Sequence, residues 1–136
     1  MTKRLLLLAG AALLAAAAVV GHEILTSSSQ LCAAPQKMSF SEDIVPILQG
    51  RCVMCHKPGS AGFEKSGLDL TSYEGFMKGT KFGPMVIPGD PESSNVMLLL
   101  DWRASTELRM PHGKKKLSSC DRDAFRLWIR EGAKNN

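Results

Sequence analysis

The pentapeptide Cys52-Val53-Met54-Cys55-His56 decides how the rest of this chain of 136 residues is interpreted. Two cysteines three residues apart, followed directly by histidine, form the pattern of covalent c-type haem attachment. Two thiols at this spacing lie on one turn of a helix and form thioethers with the two vinyl groups of one haem. The adjacent imidazole then binds the iron. We therefore predict one covalent haem c on Cys52 and Cys55, with His56 as the proximal iron ligand.

Two other kinds of site use closely spaced cysteines. A zinc site needs a second Cys/His pair at ligand spacing, and Cys32 and Cys120 each stand alone in the sequence. A thioredoxin-type redox pair lies beside a strand–helix–strand pattern, which this sequence lacks. Haem attachment is thus favoured over both.

The composition indicates one small domain with a tail. A length of 136 residues leaves no room for a second core, and 44% hydrophobic residues exclude a disordered chain. The net charge of +4 is modest, and the arginines do not cluster as they do in nucleic-acid binders. A soluble part this small needs a cofactor, metal or disulfide to complete its core.

The N-terminus predicts export. Lys3 and Arg4 precede an apolar run of 16 residues, Leu5–Val20, which is about 24 Å long as a helix, against roughly 30 Å of hydrocarbon core. Basic residues stay on the cytoplasmic side, so the rest of the chain crosses the membrane. Either a signal peptide is cleaved before His22 or residues 1–25 remain as a transmembrane anchor. The anchor is favoured, because no clean Ala-x-Ala site is present.

The remaining chain divides into a tether and a domain. Residues 26–37 are rich in turn-forming residues and are predicted to be a linker, and residues 38–136 form the domain. The domain is expected on the periplasmic side of a bacterial inner membrane, anchored at its N-terminus. Cleavage would instead leave it soluble in the periplasm.

The second axial ligand is sought among five side chains: Met77, Met85, Met97, Met110 and His112. Met54 lies inside the attachment loop and cannot reach the far face of the haem. Met97 belongs to an apolar helical stretch, where methionine is usually core filler. Met110 is favoured because it lies in an extended stretch between two predicted helices; Met85, His112 and an open site remain alternatives. Methionine ligation raises the reduction potential and suits an electron carrier.

Helices are predicted on both sides of the motif. Ser41 is expected to cap the first helix, whose first turn is acidic, and Pro46 to kink it before the attachment motif. A short helix is predicted over Thr71–Lys78, with an N-terminal capping box and Gly79 as its end.

Two further helices follow. Asp90 and Pro91 are expected to begin a helix that ends at about Trp102. Ser118 is expected to cap the last helix, which Gly132 ends and whose apolar face is formed by Phe125, Trp128 and Ile129. No segment alternates as a strand does, so the predicted fold is all-α.

An ordered set of motifs runs through about residues 38–134. It comprises Phe40-x-x-Asp43-Ile44-x-Pro46-Ile47-Leu48, Cys52-x-x-Cys55-His56, Gly67-Leu68-Asp69-Leu70, Val86-x-Pro88-Gly89-Asp90-Pro91-x-Ser93-Ser94, Met110-Pro111 and Trp128-Ile129-x-x-Gly132-Ala133. In this order the motifs resemble the planctomycete-type cytochrome c domain, a branch of the mono-haem, class I-like cytochromes.

The resemblance implies a small all-α fold around one haem, with Met110 as the distal iron ligand and the Trp128-Ile129 helix closing the core. The family usually continues Met-Pro-Pro after this methionine, whereas here His112 takes the place of the second proline. His112 is therefore a candidate for an alternative ligand. Terminal helices of such domains pack together, which makes Cys32 and Cys120 candidates for a disulfide in an oxidising compartment.

The expected function is transfer of single electrons between redox proteins, with no catalysis by side chains and no nucleic acid. Lys114, Lys115 and Lys116 follow Met110 and are candidates for docking an acidic partner; a solvated loop is the alternative. Two other functions remain open. One is a fixed haem subunit of a respiratory or photosynthetic membrane complex, and the other is a haem sensor or enzyme with an open sixth site.

Overall fold

A computed structural model describes residues 37–136. Its elements are a π-helical turn (Phe40–Ile44), α1 (Val45–Arg51), α2 (Ala61–Ser66), α3 (Tyr73–Lys78), α4 (Asn95–Leu100), a 3-10 turn (Thr106–Leu108) and α5 (Ser119–Arg130). This part of the chain contains no strand, only an isolated bridge between Thr80 and Gly83. The all-α prediction is thus confirmed for residues 37–136.

The predicted anchor over residues 1–25 and almost all of the predicted linker lie outside the described residues, as does Cys32. Within residues 37–136, no helix is long and apolar enough to cross a membrane.

The last helix begins where the sequence predicts. The Ser118 hydroxyl accepts a hydrogen bond from the amide of Asp121 at 3.0 Å, which satisfies one of the free amides of the first turn. The face predicted to be apolar is buried, and Gly132 follows the C-cap with φ of +99°. Side-chain capping and an apolar face together define α5.

The first helix begins two residues earlier than predicted. Ser39, and not Ser41, is the N-cap: its hydroxyl accepts from the Glu42 amide at 3.2 Å, and its own amide donates to Asp43 Oδ2 at 2.7 Å. This reciprocal pair is stronger than one cap, and it leaves Ser41 inside the turn. Pro46 lies in the first turn of α1, at the junction of the π-helical and α-helical segments.

The predicted start of α4 at Asp90 and Pro91 is wrong. Asp90 Oδ1 instead accepts from the amide of Ser93 at 3.1 Å and closes a turn, so the helix begins after Ser94. The buried Ser94 hydroxyl also donates to the carbonyl of Asp90 at 2.7 Å. A smaller correction applies to α3, whose cap is Ser72.

Aromatic rings from three helical segments form the centre of the core: Phe40, Tyr73, Phe76, Phe125 and Trp128. Phe76 stacks on Trp128 with ring centres 5.7 Å apart, and Phe40 lies 5.4 Å from the same indole. Since each large ring buries 150–250 Å², this cluster packs the π-helical turn, α3 and α5 against one another.

A largely buried carboxylate joins α4 to α5. Asp101, at the C-terminal end of α4, binds Arg122 Nη1 at 2.8 Å and Arg126 Nη2 at 2.7 Å. The Asp101 side chain is only 12% exposed, so these charge-assisted contacts are well shielded from water. Burial alone would raise the pKa of Asp101, but the two arginines outweigh it and hold that pKa below its usual value.

The two ends of the described segment are bonded to each other. The Asn136 side chain accepts from the Phe40 amide at 3.0 Å and donates to the Met38 carbonyl at 3.1 Å. The Asn136 carbonyl also accepts from the Ser41 amide at 3.0 Å. These contacts pair the entry to the first helix with the segment that follows α5.

Candidate cofactor site

The Cys-x-x-Cys-His segment forms a compact turn directly after α1. Cys52 is the C-cap of that helix, and its carbonyl accepts from the amides of Cys55 and His56 at 3.0 and 3.1 Å. The two thiols are therefore held by turns, and not by a regular helical turn as the spacing suggested. The His56 carbonyl in turn accepts from the Leu70 amide at 2.8 Å, which ties the segment to the chain after α2.

Helix α2 packs against this turn through a glycine. The amide of Phe63 donates to the Cys55 carbonyl at 3.0 Å. A Cβ atom on Gly62 would lie 2.4 Å from that carbonyl oxygen and 3.0 Å from Cε1 of His56. Only glycine permits this approach.

Helix α2 is not predicted from the sequence, because it has only six residues, one of them a glycine, and such a short segment shows no helical periodicity. Ser60 before it and Gly67 after it, in the left-handed conformation with φ of +74°, mark its two ends.

The two thiols differ in environment. Both are free; Cys55 is exposed, whereas Cys52 is half-buried. Burial raises the pKa of Cys52 to about 11, an effect that the positive charges of Arg51 and Lys114 partly offset. The Cys52 thiol is thus in its protonated form at neutral pH, with two cations near it.

The imidazole of His56 is prepared for a metal. Its Nδ1 atom is buried and makes no hydrogen bond to the described residues. Burial also lowers the pKa of His56, which favours the neutral ring that coordinates metals. A buried ring nitrogen without a hydrogen-bond partner destabilises the folded protein. Such a nitrogen is therefore expected where the imidazole has a further role, such as binding a metal.

The groups of this turn are of the kind that covalent haem attachment uses. Among residues 37–136, no three His, Cys, Asp or Glu side chains converge as a metal-binding group. Haem attachment does not require convergence, because each thiol binds a separate vinyl carbon and only the imidazole binds iron. Two free thiols and one neutral imidazole in a fixed turn are the groups that it needs.

The candidate distal ligands lie in different surroundings. Met97 and Met85 are core residues, 1% and 6% exposed, and Met85 is held further by its carbonyl, which accepts from the Val96 amide. Met77 and Met110 are partly buried at the edge of the core, and His112 is exposed. Core packing therefore uses Met97, as the sequence indicates, and also Met85.

Two hydrogen bonds hold the main chain of Met110. Its amide donates to the Leu99 carbonyl at 3.3 Å, and its carbonyl accepts from Nε1 of Trp102 at 2.9 Å. The Met110–Pro111 peptide bond is cis. Sequence reasoning placed Trp102 only at the end of a helix, since no motif or periodicity marks its contact with Met110.

The three lysines predicted as one docking patch have different roles. Lys116 Nζ donates to the Asp101 carbonyl at 2.7 Å and lies 5.8 Å from the centre of the Trp102 ring. Lys114 and Lys115 are exposed. Arg51 joins them, because its Nη2 donates to the carbonyl of Lys115 at 3.1 Å. The exposed cations next to Cys52 are thus Arg51 and Lys114, and the main chain of exposed Lys115 is bonded to Arg51.

Cys120, in the first turn of α5, takes part in a disulfide bond. Cys32 lies outside the described residues, so its pairing with Cys120 stays a prediction.

A family model matches part of this chain. Residues 52–112 match the family model described as planctomycete cytochrome C. The matched segment begins at the first cysteine of the attachment turn and ends just after Met110. No curated protein and no solved structure matches this chain.

Proposed function

Because residues 52–112 belong to a planctomycete-type cytochrome c domain, we propose that this protein carries single electrons through one haem c. In this proposal Cys52 and Cys55 hold the haem as thioethers, and His56 is the proximal iron ligand. The observation that carries it is the fixed turn that holds two free thiols and a half-buried imidazole, whose buried Nδ1 atom has no hydrogen-bond partner among the described residues. When bound, the haem supplies the one-electron chemistry, its iron alternating between the ferrous and ferric states.

The residues of the chain position the attachment groups. The Cys55 carbonyl is fixed by the Phe63 amide and the His56 carbonyl by the Leu70 amide, at 3.0 and 2.8 Å. Gly62 lies against the edge of the imidazole and limits its movement. Such fixed surroundings lower the reorganisation that accompanies each change of iron charge.

Met110 is the proposed distal ligand. Its side chain is only partly buried, its main chain is fixed on both sides, and it lies within the family-matched segment. Met85 and Met97, by contrast, are committed to the core. A methionine and a histidine on one iron favour a carrier over a site that binds gases.

The first test is the intact mass of the protein purified from a host that matures c-type cytochromes. One covalent haem is expected in the unaltered protein and none in the Cys52→Ala/Cys55→Ala variant. The same mass reports whether residues 1–25 are retained. A mass without haem, in a host that loads a control cytochrome, would overturn the proposal.

The distal ligand is tested with Met110→Leu and the matched control Met77→Leu, since both methionines are partly buried at the edge of the core. Methionine bound to ferric haem gives a weak red charge-transfer band. Loss of this band in Met110→Leu alone is expected. Retention in Met110→Leu, or loss in Met77→Leu, would contradict the assignment.

The proposed partners are redox proteins with an acidic docking surface. Arg51 and Lys114 are exposed cations near Cys52, and therefore near the proposed attached edge of the haem. Lys115 is also exposed, and its carbonyl accepts from Arg51. Cations in such a position raise the rate of encounter with anions, and salt weakens the effect.

We place the protein on the periplasmic side of the membrane, anchored by residues 1–25.

Docking is tested with hexacyanoferrate(III) as an anionic oxidant. Oxidation of the ferrous Lys114→Gln/Lys115→Gln variant is expected to be slower than that of the unaltered protein at low ionic strength, and the difference to vanish at high salt. Lys65→Gln/Lys78→Gln, which removes the same charge at two other exposed lysines, is the control. Equal rates for the two double variants would contradict the docking surface.

A further inference from the structure

Trp102 holds a backbone conformation that bulky residues rarely adopt. Its φ is +61°, in the left-handed region normally occupied by glycine. The conformation ends α4: the Trp102 amide donates to the Leu99 carbonyl at 3.2 Å, and the Arg103 amide donates to the Leu98 carbonyl at 3.0 Å. The chain therefore turns sharply at Trp102, and this residue lies outside α4.

Core packing does not account for this arrangement. Trp102 belongs neither to the buried hydrophobic cluster nor to the apolar residues packed against it. Its main directional contact is instead the hydrogen bond from Nε1 to the carbonyl of Met110, at 2.9 Å. Residues in sparsely populated conformations often serve a functional site.

The ring of Trp102 is held by two cations as well. Arg109 Cζ and Lys116 Nζ lie 5.6 and 5.8 Å from its centre, at distances typical of cation–π contacts. Both cations are themselves fixed, because Arg109 Nε donates to the Ala104 carbonyl at 3.3 Å and Lys116 Nζ donates to the Asp101 carbonyl at 2.7 Å. These two cations thus help to fix the orientation of the indole, in addition to the hydrogen bond made by its N–H.

We propose that Trp102 is a positioning residue for the distal ligand: its indole N–H fixes the Met110 main chain, so that the thioether stays available to the haem iron. This inference rests on the proposed assignment of Met110 as that ligand. Together with the bond from the Met110 amide to the Leu99 carbonyl, the indole holds the residue from both sides. Without the indole bond, Met110 leaves the iron more readily and an external ligand competes more successfully.

The test uses the haem-loaded protein and imidazole as the competing ligand. Trp102→Phe is expected to bind imidazole about fivefold more tightly than the unaltered protein, the factor to which one net hydrogen bond corresponds. Trp128→Phe is the matched control, because the buried Trp128 indole also donates to a backbone carbonyl at 2.9 Å, but to that of Lys134 and not to that of Met110. This control is expected to lower the melting temperature and leave imidazole affinity unchanged.

A second variant keeps the shape of the side chain. Site-specific replacement of Trp102 by benzothienylalanine removes only the N–H, and the same tightening of imidazole binding is expected. Unchanged affinity in this variant, or equal affinities in Trp102→Phe and Trp128→Phe, would overturn the inference.

The Met110→Leu variant separates the two possible failures. If it keeps the charge-transfer band of the unaltered protein, Met110 is not the ligand and both proposals fail. If it loses the band while the Trp102 variants bind imidazole as the unaltered protein does, only the role of Trp102 is refuted.

Discussion

Gly62 is the position where a single methyl group should disturb the attachment turn most. In Gly62→Ala the new Cβ would lie 2.4 Å from the Cys55 carbonyl oxygen. Ordinary contact distances are about 3.5 Å, so α2 must move away from the turn by about 1 Å. The hydrogen bond from Phe63 to the same carbonyl, now 3.0 Å, would then be lost.

The expected cost follows from three contributions. Overpacking of this kind destabilises by about 1–3 kcal/mol, and the lost hydrogen bond adds about 1 kcal/mol. Alanine returns up to about 1 kcal/mol through its better helix propensity. The net loss of about 2 kcal/mol lowers the melting temperature of a domain of this size by roughly 8–16 °C.

Gly50 supplies the matched control, because it also lies in a helix but a Cβ there would meet nothing within 4 Å. Gly50→Ala should raise stability by up to about 1 kcal/mol. Thermal unfolding of both haem-loaded variants, followed by circular dichroism, measures the difference. Covalent haem content should also fall in Gly62→Ala, because the His56 ring lies 3.0 Å from the added atom. A Gly62→Ala protein that melts as high as Gly50→Ala would refute the reasoning.

Two further predictions concern ionisable groups. Since Arg122 and Arg126 hold the pKa of Asp101 below its usual value, its stabilising effect should be complete above pH 3.8 and should fall as the pH drops through the lower, folded-state pKa. Asp101→Asn is therefore expected to lose about 2 kcal/mol at neutral pH, and urea unfolding at several pH values should show the difference from the unaltered protein shrinking in acid. In haem-free Cys55→Ser protein, the pKa of Cys52 of about 11 should make alkylation by iodoacetamide at pH 9 about 50-fold slower than in the unfolded chain. A rate profile with its midpoint near pH 9 would contradict the burial of that thiol.

Local signals were sufficient where a helix end depends on neighbours in sequence. The sequence predicts the Ser118 cap correctly, because the hydroxyl and the Asp121 amide that it binds are only three residues apart. The same logic failed at Ser41, since a serine two residues earlier has Asp43 at the distance needed for a reciprocal bond. It failed at Asp90 because an aspartate followed by proline closes a turn as readily as it begins a helix.

In the candidate site, too, some residues can be predicted from their neighbours in sequence and others cannot. The proposed attachment residues Cys52, Cys55 and His56 follow from chemistry that is local in sequence, and all three lie in the family-matched segment. The packing of Gly62 on His56 and the bond from Trp102 to Met110 depend on how α2 and the end of α4 fold back. No periodicity or capping rule carries that information.

The bonded ends of the described segment give this domain a particular kind of modularity. Asn136 lies within hydrogen-bonding distance of Met38 and Phe40. If the domain were inserted into another protein, its two connections to that protein would therefore lie next to each other. Such a unit can be inserted into a loop of another protein, or circularly permuted by a short bridge, without stretching its core. A redox centre could thus be added to a scaffold at a single surface position.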